Sequence, residues 1–402
     1  MDTVLYELND YKRTGVLSDA DREKLKAAAR ILRDGGLVAF PTETVYGLGG
    51  NALLKDAALR IYKAKGRPSD NPLIVHITDF DEIGPLVKEF GESARRLSKA
   101  FWPGPFTLIL PKSEVLPRET TGGLDTVALR MPSDPVAREL IRLSGVPIAA
   151  PSANASGRPS TTTAAHCVED LWGRIEAIVD GGSCHIGVES TIVDVSGAEP
   201  MLLRPGAVTR EMLTKILGAP IAVDPAVEKP LEHNVHPKAP GMKYRHYAPK
   251  APMLIIEPKA GTDAEILNDR SKAVRAMAER LMELAKDKTA LGIRTGIIVS
   301  DEVALEIAEL LKEDSELGAL EPKLEQEGEL KVYEAQKLIL MDLGSRRSEE
   351  VWAKNLFSAL RLMDELSAEQ IYAEGVDQHD IGFAIMNRLK KAAGGSELWL
   401  DA

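Results

Sequence analysis

The sequence predicts an α/β protein of two domains, and three observations lead there. The chain has 402 residues, more than a single hydrophobic core usually spans. In both halves, short apolar runs of strand length alternate with stretches of helical periodicity. Between the halves, residues 219–250 hold six prolines and no clear periodicity, the composition of a linker. The expected division is 1–218, a linker over 219–250, and 251–402.

In the first half, residues 18–34 predict a helix. Ser18 and Asp21 make a capping pair, Leu25, Ala28, Ala29 and Leu32 share one face, and Gly35 ends it. Leu37–Phe40 reads as a strand stopped by Pro41, which has no N–H for a ladder. A helix over 55–64 precedes a strand over Leu73–Ile77 that carries His76 near its end. Residues 92–101 suit a helix, closed by Trp102-Pro103-Gly104-Pro105. Phe106–Leu110 and Thr126–Met131 suit strands, and Asp134-Pro135 opens a helix to about Ser144. Further strands are expected at Pro147–Ala150, Ala177–Asp180, Ser190–Val195 and Leu202–Arg204.

The second half predicts strands at Met253–Ile256, Ile293–Val299, Val332–Ala335 and Gln370–Glu374. Its helices are expected over 271–286, 301–312, 348–366 and 380–393. It holds neither a Gly-x-x-x-x-Gly-Lys-Ser/Thr loop nor a Gly-x-Gly-x-x-Gly fingerprint. It therefore reads as a small doubly wound domain, regulatory or lid-like rather than catalytic.

Composition narrows the function. The chain is 44% hydrophobic and 28% charged, as expected for a soluble globular protein. No run of about 18 apolar residues predicts a membrane span. Asp2, Glu7 and Asp10 argue against a secretory signal at the start of the chain. Cys167 and Cys184 are too few for a disulfide framework or a four-ligand zinc site, so the default location is the cytoplasm. Net charge is -11; residues 1–230 hold 27 basic and 30 acidic side chains, and the rest hold 23 and 31. A broad basic face for nucleic acid is excluded, while local basic clusters remain.

The chemistry concentrates in a few loops. After Phe40 come two hydroxyls, Thr42 and Thr44, and one carboxylate, Glu43. Gly47, Gly49 and Gly50 follow, read here as a loop that lets backbone approach a ligand. Lys63, Lys65 and Arg67 then fall within five residues. A basic helix end is the plain account of these cations, but beside the Thr/Gly loop they suit a phosphate chain. The segment Pro151-Ser152-Ala153-Asn154-Ala155-Ser156-Gly157-Arg158-Pro159-Ser160 is dense in hydroxyls and amides. Alone it would pass for a surface loop; at the end of an apolar strand it sits where α/β proteins bind ligands. Arg130, among Val127, Ala128, Leu129 and Met131, needs a partner, because an unpaired buried charge is costly. The linker places Tyr244, Arg245, His246 and Tyr247 together, richer in aromatics than a passive tether. No Gly-x-Ser-x-Gly elbow, His-Glu-x-x-His or paired-cysteine spacing appears. A polar, cationic, hydroxyl-rich pocket remains, which suits nucleotidyl transfer.

These motifs together resemble the threonylcarbamoyl-AMP synthase family in its two-domain form. The matching stretches are Pro41-Thr-Glu-Thr-Val-Tyr-Gly-Leu48, Lys65-Gly-Arg67, Ser152-Ala-Asn154, Glu189-Ser-Thr191, Arg204-Pro-Gly206, Tyr244–Tyr247, Gly344-Ser345 and Gly382–Ala392. The resemblance covers roughly residues 20–400. It implies a YrdC-like twisted mixed-sheet domain followed by a smaller Rossmann-like domain.

The implied reaction takes L-threonine, bicarbonate or CO2, and ATP to threonylcarbamoyl-AMP and pyrophosphate. That product serves threonylcarbamoyl-adenosine formation beside the anticodon of tRNA. A separate transferase would complete the step, and room is left for a weak tRNA contact. Carried over position by position, Thr44, His76, Arg130, Ala150 (backbone only) and Ser190 would hold L-threonine, with Arg130 on its carboxylate. Lys65, Arg67, Asn71, Thr126, Ser152, Asn154, Ser160 and Arg204 would hold ATP, with Lys65 and Arg67 as catalytic cations. Mg2+ would come with the triphosphate, with no protein ligand evident, and Tyr244, Arg245, His246 and Tyr247 would form a lid. Glu43 is read as structural rather than as the base. The rival readings are an RNA-binding protein, an ATP sensor without turnover, and a carbamoyltransferase of the hydrogenase-maturation kind, whose cysteine-rich zinc modules two cysteines cannot supply.

Overall fold

The computed structural model describes residues 1–400 except 229–236, 241–245, 259–269, 313–318 and 326–329. Tyr244 and Arg245 of the expected lid lie outside the described residues. The chain forms two compact units, Met1–Tyr244 and Arg245–Ala402.

The strands of the first unit are β1 (Val4–Glu7), β2 (Val38–Phe40), β3 (Gly47–Asn51), β4 (Ile74–His76), β5 (Phe106–Pro111), β6 (Thr126–Arg130), β7 (Ile148–Ala150), β8 (Ala177–Asp180), β9 (Thr191–Asp194), β10 (Met201–Arg204) and β11 (Ala222–Val223). They join one mixed sheet in the order β1-β8-β2-β3-β7-β4-β6-β5-β9-β10-β11. Helix Asp19–Arg33 starts in a complete capping box between Ser18 and Asp21. It packs Leu25, Ala28, Ala29 and Leu32 with Val38, Phe40 and Ile148 in one core.

Two features differ from the expectation. Gly47–Asn51 is a strand in the interior of the sheet, not a ligand-admitting loop. Its glycines serve packing: a Cβ on Gly49 would lie 2.8 Å from Phe40 and 2.9 Å from Ile148, and one on Gly50 would lie 3.1 Å from both Ile61 and Leu37. The first unit also continues past 218. β11 pairs with β10, and Ala226 and Ala239 share a core with Ile74, Ala128, Ile192 and Leu203.

The second unit holds β12 (Met253–Pro258), β13 (Thr295–Val299), β14 (Glu321–Glu325), β15 (Lys331–Ala335), β16 (Leu338–Asp342), β17 (Gln370–Glu374) and β18 (Glu397–Leu400). Their order is β14-β15-β16-β13-β17-β12-β18. β16, β13, β17, β12 and β18 run parallel, and β14 and β15 add an antiparallel edge. Helices Arg270–Thr289 and Asp301–Lys312 build one of its cores with Ile256, Ile297 and Leu340. No described helix is long and apolar enough to cross a membrane.

Candidate active site

Register assembles one part of the site. β4 and β6 are parallel neighbours that pair His76 with Arg130, and antiparallel β5 sets Thr107 opposite Arg130. β5 also pairs Phe106 with Thr191, so Ser190 comes up beside Thr107, their hydroxyls 2.8 Å apart. Arg204, at the end of β10, donates from Nε to the Ser190 carbonyl at 2.9 Å and from Nη2 to its hydroxyl at 3.0 Å. Directly paired backbones thus bring together His76, Arg130, Ser190 and Arg204, which are far apart in sequence.

The loop after β2 supplies the facing wall. Thr42 Oγ1 donates to the Val45 carbonyl at 2.7 Å and lies 2.9 Å from Thr44 Oγ1. The Ile186 and Gly187 amides donate to the Glu43 and Thr44 carbonyls at 2.9 and 3.0 Å. The loop backbone is therefore pinned at its middle, and its side chains are all buried. Glu43 Oε1 lies 2.9 Å from Arg130 Nη2, with the two side chains only 8% and 4% exposed. This supplies the partner that the apolar setting of Arg130 demands. Capacity is left over, because Arg130 Nε and both Glu43 oxygens have no hydrogen-bond partner among the described residues.

A second group forms around the end of helix Lys55–Lys65, where Gly66 takes the left-handed conformation of a C-cap at φ 63°. Buried Lys65 donates to the Ser152 carbonyl at 2.5 Å and to the Asn154 carbonyl. The Ser156 amide in turn donates to the Lys65 carbonyl at 2.9 Å. Lys65 thereby fastens the 151–158 loop. Ser152 Oγ donates to Asn154 Oδ1 at 2.5 Å, and Ser160 Oγ to Glu189 Oε1 at 2.6 Å.

Arg67 reaches the Asn71 and Pro72 carbonyls at 3.4 and 3.3 Å. The side-chain amide of Asn71 is buried with neither end hydrogen-bonded among the described residues. Leaving such groups unpaired costs about 1–3 kcal/mol each, so this amide has capacity to hold a ligand. Thr161 Oγ1 is in the same state. Thr126 opens β6, opposite Pro111. Four residues of strand put it roughly 13 Å from Arg130, so it does not join the Arg130 group. Ala150 closes β7 opposite Ile74. His246 and Tyr247 fall in the second unit, where the Tyr247 ring lies 5.1 Å from that of Phe357.

Burial sets the electrostatics. His76 is pushed down to about 3 by desolvation and then by Arg130, so its ring is neutral, with Nδ1 3.0 Å from the Ile74 carbonyl. Asp134 caps helix Pro135–Ser144 by accepting from the Ala137 amide at 2.9 Å. Desolvation, with a contribution from Glu43, pushes it up to about 7. The sequence reading passed over Thr107, Asp134 and Glu189. Glu189 carried a signal, since it opens the Glu-Ser-Thr motif; Thr107 and Asp134 carried none beyond ordinary strand and cap positions. A buried guanidinium with a spare N–H, beside hydroxyls and a neutral imidazole, can hold a carboxylate. The Lys65, Arg67 and Asn71 group can hold an anion with several oxygens.

Residues 30–206 match the family model described as Telomere recombination, and 208–394 match that described as Threonylcarbamoyl-AMP synthase, C-terminal domain. The chain is 46% identical over 371 residues to the threonylcarbamoyl-AMP synthase of Pyrococcus abyssi, covering 92% of this chain and 94% of that protein. It is 44% identical over 383 residues to that of Bacillus subtilis, covering 95% and 96%. The crystal structure of P. abyssi Sua5 complexed with L-threonine superposes with a TM-score of 0.77 at 41% identity over all of both chains.

Proposed function

The chain belongs to the threonylcarbamoyl-AMP synthase family, and from that premise we propose how its first unit makes the adenylate. The reaction joins L-threonine, bicarbonate or CO2, and ATP into L-threonylcarbamoyladenylate and releases pyrophosphate, a nucleotidyltransferase activity. The observation that carries the site reading is the buried Arg130 guanidinium at a strand end, its Nε unspent, beside the row of Thr44, His76 and Ser190. In this reading Arg130 takes the threonine carboxylate, Thr44, Ser190 and neutral His76 surround the amino acid, and the Ala150 backbone closes its floor.

ATP lies along Lys65, Arg67, Asn71, Thr126, Ser152, Asn154, Ser160 and Arg204, and Mg2+ enters with the triphosphate as part of the nucleotide. The unpaired Asn71 amide favours this assignment. The threonine amine attacks the carbon donor to give a carbamate. A carbamate oxygen then attacks the α-phosphorus and pyrophosphate leaves. Lys65, Arg67 and Arg204 stabilise the charge that develops.

Tyr244, Arg245, His246 and Tyr247 form the lid that keeps water from the carbamate. The chain just before them supports this: Ala239 is buried in the first unit, and Arg204 Nη1 lies 3.5 Å from the Pro240 carbonyl. The product passes to a separate transferase that modifies tRNA next to the anticodon, with at most a weak tRNA contact by this chain. A cytoplasmic location goes with this reading, since ATP is the substrate and both cysteines are buried. The test is pyrophosphate release by the full chain. Release that needs both L-threonine and bicarbonate is expected, whereas ATP binding without release under any combination would overturn the catalytic reading.

A further inference from the structure

Resting on the threonine-site reading above, we propose that Glu43 receives the α-ammonium of the amino acid and takes its proton, which makes it a catalytic residue. Three observations carry this. Glu43 is 6% exposed, and its position is set by backbone bonds to its carbonyl rather than by its carboxylate. Among the described residues neither carboxylate oxygen makes a hydrogen bond, and Oε1 has an ionic contact with Arg130 Nη2 at 2.9 Å. Arg130 likewise keeps an unspent Nε. A buried anion and cation side by side, each with capacity to spare, complement a zwitterion. The ammonium offers three donors to the anion, and the carboxylate offers acceptors to the cation. A pair so disposed favours neither a bare anion nor a bare cation.

The neighbouring groups are less suited. Asp134 Oδ1 is spent on the Ala137 amide, Glu189 Oε1 is spent on Ser160, and His76 is too weak a base.

The step balances with bicarbonate as the carbon donor. An N–H bond of the ammonium breaks and its proton passes to a Glu43 oxygen. The freed nitrogen lone pair forms the N–C bond. The C–OH bond breaks, and the hydroxide leaves with a second nitrogen proton as water. Once protonated, Glu43 no longer competes with the substrate carboxylate for Arg130.

The test is calorimetric titration of the full chain with L-threonine and with (R)-3-hydroxybutanoate, which lacks only the amine. Glu43→Gln should weaken L-threonine about 10-fold or more, as expected for losing a charged hydrogen bond, and leave the desamino acid unaffected or tighter. It should also lower kcat at saturating threonine by about 100-fold. Equal weakening of both ligands would reduce Glu43 to a positioning residue for Arg130, and an unchanged kcat would overturn the proton transfer. Should Glu43→Gln fail to fold, Glu43→Asp carries the same comparison, with L-threonine again weakened more than the desamino acid. If Arg130→Ala leaves threonine binding intact, the threonine-site reading fails, a result distinct from failure of the Glu43 role.

Discussion

Both units end parallel strands in buried charged side chains, and the two sets differ in what those charges do. In the second unit, Glu374 at the end of β17 accepts from the Ser300 amide and hydroxyl at 2.8 and 2.9 Å and pairs with Arg346. Asp342, at the end of β16, accepts from the Gly344 amide at 2.9 Å, and Lys331 bridges it to Asp301. These groups are spent on one another. In the first unit, Arg130, Glu43 and Asn71 are as deeply buried yet keep unpaired polar atoms. The carboxyl end of a parallel strand is where α/β folds bind ligands, but position alone does not make a site. Among the described residues, unspent hydrogen-bonding capacity, which is costly to bury, separates the open set, Arg130, Glu43 and Asn71, from the closed one, Glu374 and Asp342; in the second unit Glu257 Oε1 at the end of β12 shares it, held by Lys390 at 3.0 Å.

The sharpest way to break this contrast is Arg130→Ala. It strands Glu43 in the interior, so we expect a stability loss of roughly 3–5 kcal/mol in denaturant unfolding. The KM for threonine should rise by about 100-fold or more, with a far smaller rise for ATP. Equal rises would remove its role as carboxylate clamp. Lys65→Ala tests whether a cation already ringed by carbonyls still acts on the nucleotide. Activity should fall by about 100-fold, and unfolding should show a further loss of about 1–3 kcal/mol from the orphaned carbonyls. Loss of stability with normal turnover would make Lys65 a strut only.

Glu374→Gln probes the closed set. We expect about 1.5–3 kcal/mol lost on unfolding of the second unit, since bonds to a charged acceptor are the stronger kind. Both KM values should stay within about twofold of the parent, because Glu374 is spent on Ser300 and Arg346 within the second unit. A large change in either would mean that the second unit's charges are not merely structural.

The remaining test concerns pH. Asp134 titrates near 7 in the fold against an ordinary 3.8. Between those values the folded chain keeps a proton that the unfolded chain has lost, so stability falls as pH rises from about 4 to about 7. Asparagine can still accept from the Ala137 amide as a helix cap. Asp134→Asn should therefore raise the melting temperature at pH 8 and leave it little changed at pH 4. A shift equal at both values would show that the carboxyl does not carry this dependence.

Much of this was legible in the chain itself. The capping box at Ser18 and Asp21, the Asp134-Pro135 helix start and the apolar strands at Val38, Ile74 and Thr126 follow from local spacing, because a residue's burial and its neighbours along the chain set backbone preference. The loop motifs marked the chemistry for the same reason, since hydroxyls, amides and cations cluster where strands end. The sequence by itself thus determined the α/β class, the family motifs and where the hydroxyls, amides and cations gather along the chain.

Tertiary structure decided the partners. Gly47–Asn51 reads as a loop by composition and is a strand because it pairs with β2 and β7, its Gly49 and Gly50 fitting where Phe40, Ile148, Ile61 and Leu37 crowd the backbone. Glu43 meets Arg130 across 87 positions, and Lys65 meets the Ser152 carbonyl across 87. Periodicity records which residues are buried but not against what. Pairing over such separations exists only once strand order and register bring the two segments together.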